Sequence, residues 1–201
     1  MERRYKMPLW VGIVALAVCI DFQFLAALIL PPDIGLFGSL ILEVALLAIA
    51  IIPVLIMKIP LKEVFPFRKP SWNHLLAVPV LYYASTCITS VIVYLTGFLF
   101  PEKMLGVMDY ISEATSSVPG WAAFVIMAFA APLCEEPFHR GLLQYSTGRM
   151  KSSAWRIILI GIFFGIFHLE PYRFFITGAL GILLAYIMLE TDNLLIPMLF
   201  H

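Results

Sequence analysis

The sequence predicts an all-α, polytopic membrane protein: a bundle of six to seven transmembrane helices, the last of them truncated. The 201 residues are 62% hydrophobic and 13% charged, whereas soluble domains are about 45–50% apolar and about 25% charged. Long apolar segments recur along the chain, and most approach the roughly 20 residues that cross a bilayer core. Lys and Arg are largely confined to alternate connections between these segments.

The apolar segments predict the helices in order. The first two, at 8–30 and 34–57, each have the length of a full membrane span. A connector from Lys58 to Asn73, rich in proline, charge and aromatic residues, is expected to lie along the membrane surface. The later segments lie at 75–100, 120–146, 155–169, 171–189 and 194–201. The short fifth segment places its end, near His168, within the bilayer.

The distribution of basic residues predicts the orientation. Ten of the thirteen Lys and Arg residues lie at 3–6, 58–69 and 149–156, and by the positive-inside rule these connections and the N-terminus face the cytoplasm. Loops at 31–33 and 101–119 are expected on the opposite side. A cleaved signal peptide is the alternative for the first segment, but its apolar run shows no small-residue cleavage site.

Net charge excludes one class of function. Thirteen basic and thirteen acidic residues leave the chain without net charge. Nucleic-acid binding, which relies on a basic surface, is therefore excluded, and no nucleic-acid partner is expected.

Ionisable residues cluster inside the fourth apolar segment, where each costs a few kcal/mol by insertion scales unless it has a partner. Glu135, Glu136, His139 and Arg140 lie together there, beside two prolines expected to bend or restart the helix. Residues four apart share a helix face, which predicts that Glu136 pairs with Arg140 and Glu135 with His139. A structural salt bridge at a proline kink is the alternative to a functional site.

Two histidines at the ends of later apolar segments, His168 and His201, favour the functional interpretation. Carboxylates and imidazoles together can activate a water, with or without a metal ion. Other polar residues in the first two segments, Asp21, Gln23 and Glu43, are expected to pair between helices, or else to line a transport pathway.

These residues resemble the CPBP family, the CAAX-protease and bacteriocin-processing enzymes also called Abi proteins. The family motif E-E-x-x-x-R matches residues 135–140, F-x-x-x-H matches residues 164–168, and H-x-x-x-N begins at His201, its Asn falling beyond this sequence. Pro137 and His139 depart from the usual family residues. The resemblance covers roughly residues 75–201.

The resemblance implies an intramembrane endopeptidase acting on membrane-embedded or lipidated peptides and proteins. Glu135 would be the general base toward a water held by His168, and His201 would stabilise the oxyanion. Arg140 would neutralise and position Glu136. Zn²⁺ is a candidate cofactor, with Glu135, His168 and His201 as candidate ligands, and no organic cofactor is expected.

The resemblance also suggests how the chain is organised. Residues 1–201 form a single membrane domain, with N-terminal helices and the connector at 1–74 and the catalytic helical core at 75–201. A bacterial or archaeal plasma membrane is the expected location. A non-catalytic protein of the same fold, acting in bacteriocin immunity or as a scaffold, is one alternative. A small transporter is another, although no inverted repeats are found.

Overall fold

The computed structural model describes residues 5–31 and 34–201, and helices are the only regular secondary structure among them. Predictions that concern Arg3, Arg4 and residues 32–33 lie outside this part of the chain. The helices are α1 Leu9–Ile29, α2 Leu36–Ile56, α3 Leu61–Val64, α4 Trp72–Leu99, α5 Pro101–Ser116, α6 Gly120–Arg149, α7 Ser153–Phe167, α8 Phe174–Thr191 and α9 Leu195–Phe200.

The predicted all-α membrane bundle is confirmed. Within the described residues, five helices are long and apolar enough to cross a membrane: α1, α2, α4, α6 and α8. The two shorter helices in predicted segments, α7 and α9, have 15 and 6 residues. All seven predicted segments are therefore helical, and the protein is an integral membrane protein by length and composition.

The sequence predicts a loop at 101–119, and this prediction is wrong because α5 occupies Pro101–Ser116. Proline at the first helical position loses no hydrogen bond, and Glu102 in the first turn complements the helix dipole. The helix is too polar to be found by a search for membrane spans. Its Tyr110 lines the cavity described below.

The helix α6 is not α-helical throughout. π-Helical turns at Ile126–Ala130 and Pro137–Leu143 lie on either side of an α-helical part, Ala131–Glu136. Pro132 and Pro137 stand beside these turns. Proline has no backbone N–H to donate within a helix, and a wider π turn accommodates the missing hydrogen bond. We therefore attribute the two π segments to the two prolines.

The connector packs into the bundle as well as running along its end. Phe65 contacts two of the hydrophobic clusters. The Asn193 side chain donates to the backbone oxygen of Arg68 at 2.8 Å and accepts from its backbone N–H at 3.0 Å. The backbone N–H of Leu194 donates to the oxygen of Pro66 at 2.7 Å. The turn before α9 is therefore tied to the connector.

The helices α7 and α8 approach each other closely because glycines face their contact. A Cβ on Gly161 would lie 2.3 Å from the side chain of Ile182, and one on Gly181 would lie 2.7 Å from Phe164. Small residues at a helix contact let the two backbones approach closely. A Cβ on Gly165 would lie 2.8 Å from Phe174, so the close contact extends to the end of α7 that bears His168 and to the start of α8.

The basic connections meet at one end of the bundle. The Nζ of Lys6 pairs with Glu63 at 3.0 Å. The Arg149 guanidinium donates to the backbone oxygens of Tyr5 and Lys6 at 3.2 and 2.9 Å. The segment before α1, the connector and the turn before α7 therefore share one end, which supports the proposed orientation with this end in the cytoplasm.

The orientation predicts a labelling pattern. With the native cysteines removed, we expect Ser152→Cys, in the basic turn before α7, to react with a membrane-impermeant thiol reagent only from the cytoplasmic side. Ser112→Cys on α5, also in a polar connecting segment, is the matched control and should react only from the other side. Labelling of Ser152→Cys from outside the cell would reverse the orientation.

Candidate active site

The candidate carboxylates lie where α6 changes from an α-helical to a π-helical turn. Glu135 and Glu136 are the last residues of the α-helical part, and Pro137 begins the π-helical part. Both are buried, with 7% and 0% of their surface exposed. Successive helical residues point about 100° apart, at 3.6 residues per turn. The two carboxylates therefore meet different surroundings.

Glu136 lies in a buried cluster with Arg140 and His201. Arg140 Nη1 donates to Glu136 Oε1 at 3.0 Å, and His201 Nδ1 lies 2.8 Å from the same oxygen. Arg140 Nη2 also donates to the backbone oxygen of Gly181 at 3.4 Å, and its guanidinium lies 4.4 Å from the ring centroid of Phe164. The predicted Glu136–Arg140 pair is present, and Glu136 joins α9 to α6.

Glu135 faces a cavity of about 270 Å³ that His168 also lines. The Nδ1 of His168 lies 2.8 Å from the backbone oxygen of Phe164. Because a carbonyl oxygen only accepts, this nitrogen carries the hydrogen, and Nε2 of a neutral ring can accept from water. The Oε2 of Glu135 has no protein partner among the described residues. The remaining lining residues are Cys19, Phe22, Gln23, Ser39, Leu42, Glu43, Leu46, Ile49, Tyr110, Phe167 and Arg173.

The structure places His201 beside this cavity rather than on its wall. His201 is held by Glu136, and it is near enough to Glu135 and His168 to interact electrostatically with both. Of the three candidate zinc ligands, Glu135 and His168 line one cavity, whereas His201 contacts Glu136, the neighbour of Glu135 in the chain.

A second carboxyl group lies in the cavity. Glu43 of α2 interacts with the Glu135 carboxyl, and its buried Oε2 has no protein partner within the described chain. Two carboxylates in contact repel each other unless a proton or a cation lies between them. The sequence predicts Glu43 only as an interhelical pair or pathway residue. An acidic residue inside the second apolar segment indicates that Glu43 has a partner or a function. Sequence spacing, however, does not show which helix its side chain faces.

The predicted pair between the side chains of Glu135 and His139 is wrong. The Nδ1 of His139 bonds to the backbone oxygen of Glu135 at 3.0 Å. Its buried ring packs among Phe138, Phe164 and Phe167, with centroid distances of 4.9, 4.8 and 4.8 Å. The aromatic rings offer no counter-charge, and the backbone satisfies the ring's donor. The Glu135 carboxylate is therefore not paired with His139, and it faces the cavity.

The polar residues of α1 have separate positions. The Gln23 amide donates to the backbone oxygen of Phe167 at 3.2 Å, next to His168, and lines the cavity. Asp21 is exposed on the outside of the bundle. The interhelical pairing expected of such residues is present for Gln23.

The fit of a metal ion can be tested on the donor side chains. Within residues 5–31 and 34–201, no group of three or more His, Cys, Asp or Glu side chains is placed to hold a metal ion. Glu135, His168 and His201 thus do not form a preorganised zinc site in this arrangement.

Comparison with family models matched the C-terminal part of the chain. Residues 117–201 match the model described as Type II CAAX prenyl endopeptidase Rce1-like. The matched segment holds α6 to α9 and every candidate catalytic residue named above. Comparison with curated proteins and with solved structures gave no match.

Proposed function

From the match of residues 117–201 to the family model described as Type II CAAX prenyl endopeptidase Rce1-like, we propose that the protein is an intramembrane endopeptidase. Its substrates are membrane-associated peptides or proteins, and Glu135 and His168 activate the attacking water. One observation carries the proposal: a carboxylate oxygen of Glu135 without a partner among the described residues and the imidazole of His168 line one cavity inside the helical bundle.

The first step is the attack of water on the scissile carbonyl. Nε2 of His168 accepts a hydrogen bond from the water and so orients it. Glu135 removes the other hydrogen of the water as a proton. The water oxygen bonds to the carbonyl carbon, and the carbonyl becomes a tetrahedral oxyanion. Glu135 then delivers its proton to the leaving nitrogen as the C–N bond breaks, which returns the carboxylate to its starting state.

Stabilisation of the oxyanion falls to His201 in this proposal. Since Nδ1 of His201 faces Glu136, a hydrogen bond from its Nε2 to the oxyanion requires an imidazolium, for which Glu136 is a counter-ion. Arg140 pairs with Glu136 and keeps it in place. Glu136 and Arg140 are therefore positioning residues, whereas Glu135 and His168 act on the water in the cavity and His201 reaches the oxyanion from beside it.

Removal of the water-orienting histidine tests this scheme. We expect His168→Ala to lower peptide hydrolysis by about 10²-fold, because general acid–base partners contribute about 10²–10⁴-fold, while the folded protein remains. His74→Ala, at the start of α4 away from the cavity, is the matched control and should retain activity. Full activity of purified His168→Ala protein in detergent would remove His168 from the mechanism.

Zinc dependence is tested in the same assay. Retained hydrolysis after treatment with a chelator would assign the glutamate mechanism. Loss on chelation, followed by recovery with Zn²⁺, would assign a metal mechanism in which the candidate ligands come together on binding.

The position of the cavity predicts the side from which substrate enters. Ser39 lies near the start of α2 and Arg173 in the turn between α7 and α8, both at the end of the bundle opposite the basic connections. With the N-terminus in the cytoplasm, the scissile segment would enter from the non-cytoplasmic half of the bilayer. The labelling experiment above therefore also determines the side of entry.

The alternative functions make different demands on these residues. A proton or ion relay through Asp21, Glu43 and Glu135 requires all three along one path, but Asp21 is exposed and does not line the cavity. A non-catalytic immunity or scaffold protein would show no hydrolysis of any membrane peptide and no loss of function in Glu135→Gln. Both alternatives receive less support from the structure than the peptidase.

A further inference from the structure

A second cavity, of about 160 Å³, lies at the end of the bundle that bears the basic connections, and it shares no lining residue with the cavity of the candidate active site. Several chain ends meet around it. Arg156 lies in the first turn of α7, and Asp192 directly follows α8. Tyr5 precedes α1, and Glu63 belongs to α3 of the connector. The second cavity is therefore at the level where the bundle meets the lipid headgroups.

Three buried polar atoms of residues that line the second cavity have no partner among the described residues. They are Nε of Arg140, Nε of Arg156 and Oε1 of Gln144. All three residues are buried, and Arg156, the most exposed of them, has 9% of its surface exposed. Because a buried polar group without a hydrogen bond is costly, such groups normally bind protein, water or a ligand. The cavity thus offers an occupant two donors and one acceptor.

The charges around the second cavity favour an occupant with an anionic group. Three of the four charged residues that line it already pair with a residue of opposite charge. These pairs are Arg140–Glu136, Glu63–Lys6 and Asp192–Arg68. The fourth, Arg156, forms no ion pair with a described residue, and its Nη2 donates to the hydroxyl of Tyr5 at 3.2 Å. Its guanidinium also lies 5.0 Å from the centroid of the Tyr5 ring. One oriented positive charge is therefore left for a ligand.

The size of the second cavity and its donors narrow the ligand further. A water molecule takes about 30 Å³ of liquid volume, and pockets for drug-sized ligands have about 300–1,000 Å³. The cavity of about 160 Å³ lies between these sizes and suits a small polar group. A guanidinium matches a phosphate through two parallel hydrogen bonds. An ammonium on the same ligand would donate to Oε1 of Gln144 and face the carboxylates of Glu63 and Asp192.

We propose that the second cavity binds a phosphoethanolamine group, with its phosphate at Arg156 and its ammonium at Gln144. Phosphatidylethanolamine in the surrounding leaflet and soluble phosphoethanolamine both present this group. The lipid is favoured by the position of the cavity and by Trp155, which neighbours Arg156, is exposed and is a residue type enriched at headgroup level. The site does not depend on the proposed peptidase function. Its occupant would also adjoin Arg140, whose Nη1 holds Glu136.

Two lipids that differ only in the methylation of the amine test the assignment. Dioctanoyl phosphatidylethanolamine and dioctanoyl phosphatidylcholine are added to the full chain in detergent, and thermal unfolding is followed. Both lipids carry a phosphate and a positive charge, but only the first has N–H donors. We expect the unfolding midpoint to rise by about 3–6 °C with the first lipid at ten times its Kd, and to change little with the second. Native mass spectrometry should show one phosphatidylethanolamine bound per chain, with about 10-fold preference over phosphatidylcholine.

Variants test the residue that would hold the phosphate. Arg156→Gln should abolish both the rise in midpoint and the bound lipid. Arg156→Lys should keep part of each, because an ammonium retains the charge but not the fork. Lys151→Gln is the matched control, since it removes an exposed cation from the same end of the bundle and should change neither. Soluble phosphoethanolamine at the same concentration identifies the source: a rise equal to that with the lipid would assign the soluble ligand, and a smaller rise would assign the lipid.

Several results would overturn the assignment. These are equal binding of the two lipids, stronger binding of phosphatidylglycerol or of inorganic phosphate, and a rise in midpoint that survives Arg156→Gln. If Arg156→Gln does not fold, the wild-type protein decides, because the lack of a one-to-one adduct with phosphatidylethanolamine would exclude the site. Neither readout uses hydrolysis, so an inactive protein would refute the peptidase proposal and leave this assignment to be judged by binding.

Discussion

Glu135→Gln should abolish peptide hydrolysis and leave the folded protein intact. The amide has nearly the shape of the carboxylate, but it cannot take a proton from water, and loss of a general base costs about 10²-fold or more in rate. Since the side chain faces the cavity and forms no ion pair with a described residue, we expect folding not to depend on its charge. Hydrolysis and thermal unfolding, measured on the same detergent preparation, check both halves of this expectation.

The matched control is Glu102→Gln on the exposed face of α5, which should retain full activity. Activity of Glu135→Gln within threefold of wild type would show that another group is the base. The nearest alternative is Glu43, the second carboxyl of the cavity.

Arg140→Ala should destabilise the protein strongly. Both side chains of the Glu136–Arg140 pair are fully buried, so the substitution leaves Glu136 charged in an apolar environment with only His201 beside it. Breaking one side of a buried pair costs about 3–5 kcal/mol. We expect a large fall in the midpoint of thermal unfolding and in folding yield, with activity lost as a consequence.

Arg68→Ala is the control for this prediction, because Arg68 pairs with Asp192 on the surface and its side chain is 60% exposed. Exposed pairs contribute about 0–1 kcal/mol, so its unfolding midpoint should change little. Replacing both members of the buried pair with uncharged residues, Glu136→Gln with Arg140→Met, should recover part of the stability. An unchanged midpoint for Arg140→Ala would show that the charge of Arg140 is not needed to hold Glu136.

Sequence patterns predicted the features that depend on local spacing. Segment length and hydropathy located the seven helical segments, and the separation of four residues predicted the Glu136–Arg140 pair. The same spacing failed for Glu135 and His139. There, an aromatic environment and a backbone acceptor outweighed an ion pair that the spacing alone would allow.

Features that depend on how the helices face each other were not predictable from one sequence. Glu43 and Glu135 are far apart in the chain, and only the packing of α2 against α6 brings their carboxyls together. The role of Asn193 in holding the connector at Arg68 is of the same kind. The helix α5 was missed for a different reason, since it is amphipathic and polar and resembles a loop when only membrane spans are sought.

The two π-helical turns of α6 affect how this chain could change during evolution. A π turn is in effect a helix with one residue added, and removal of that residue returns the helix to the α-helical repeat. Because the wide turn absorbs the extra residue, the helix faces on its two sides stay nearly aligned when that residue is removed. A deletion within the α-helical part, Ala131–Glu136, has no such turn to absorb it, and it turns the residues on one side by about 100° relative to the other side. Such a single-codon deletion would leave composition and hydropathy nearly unchanged, yet it would turn Glu136 away from His201 at the end of α9. A deletion in the lipid-exposed α4 would meet far fewer such constraints. Insertions and deletions should therefore be much rarer in α6 than in α4.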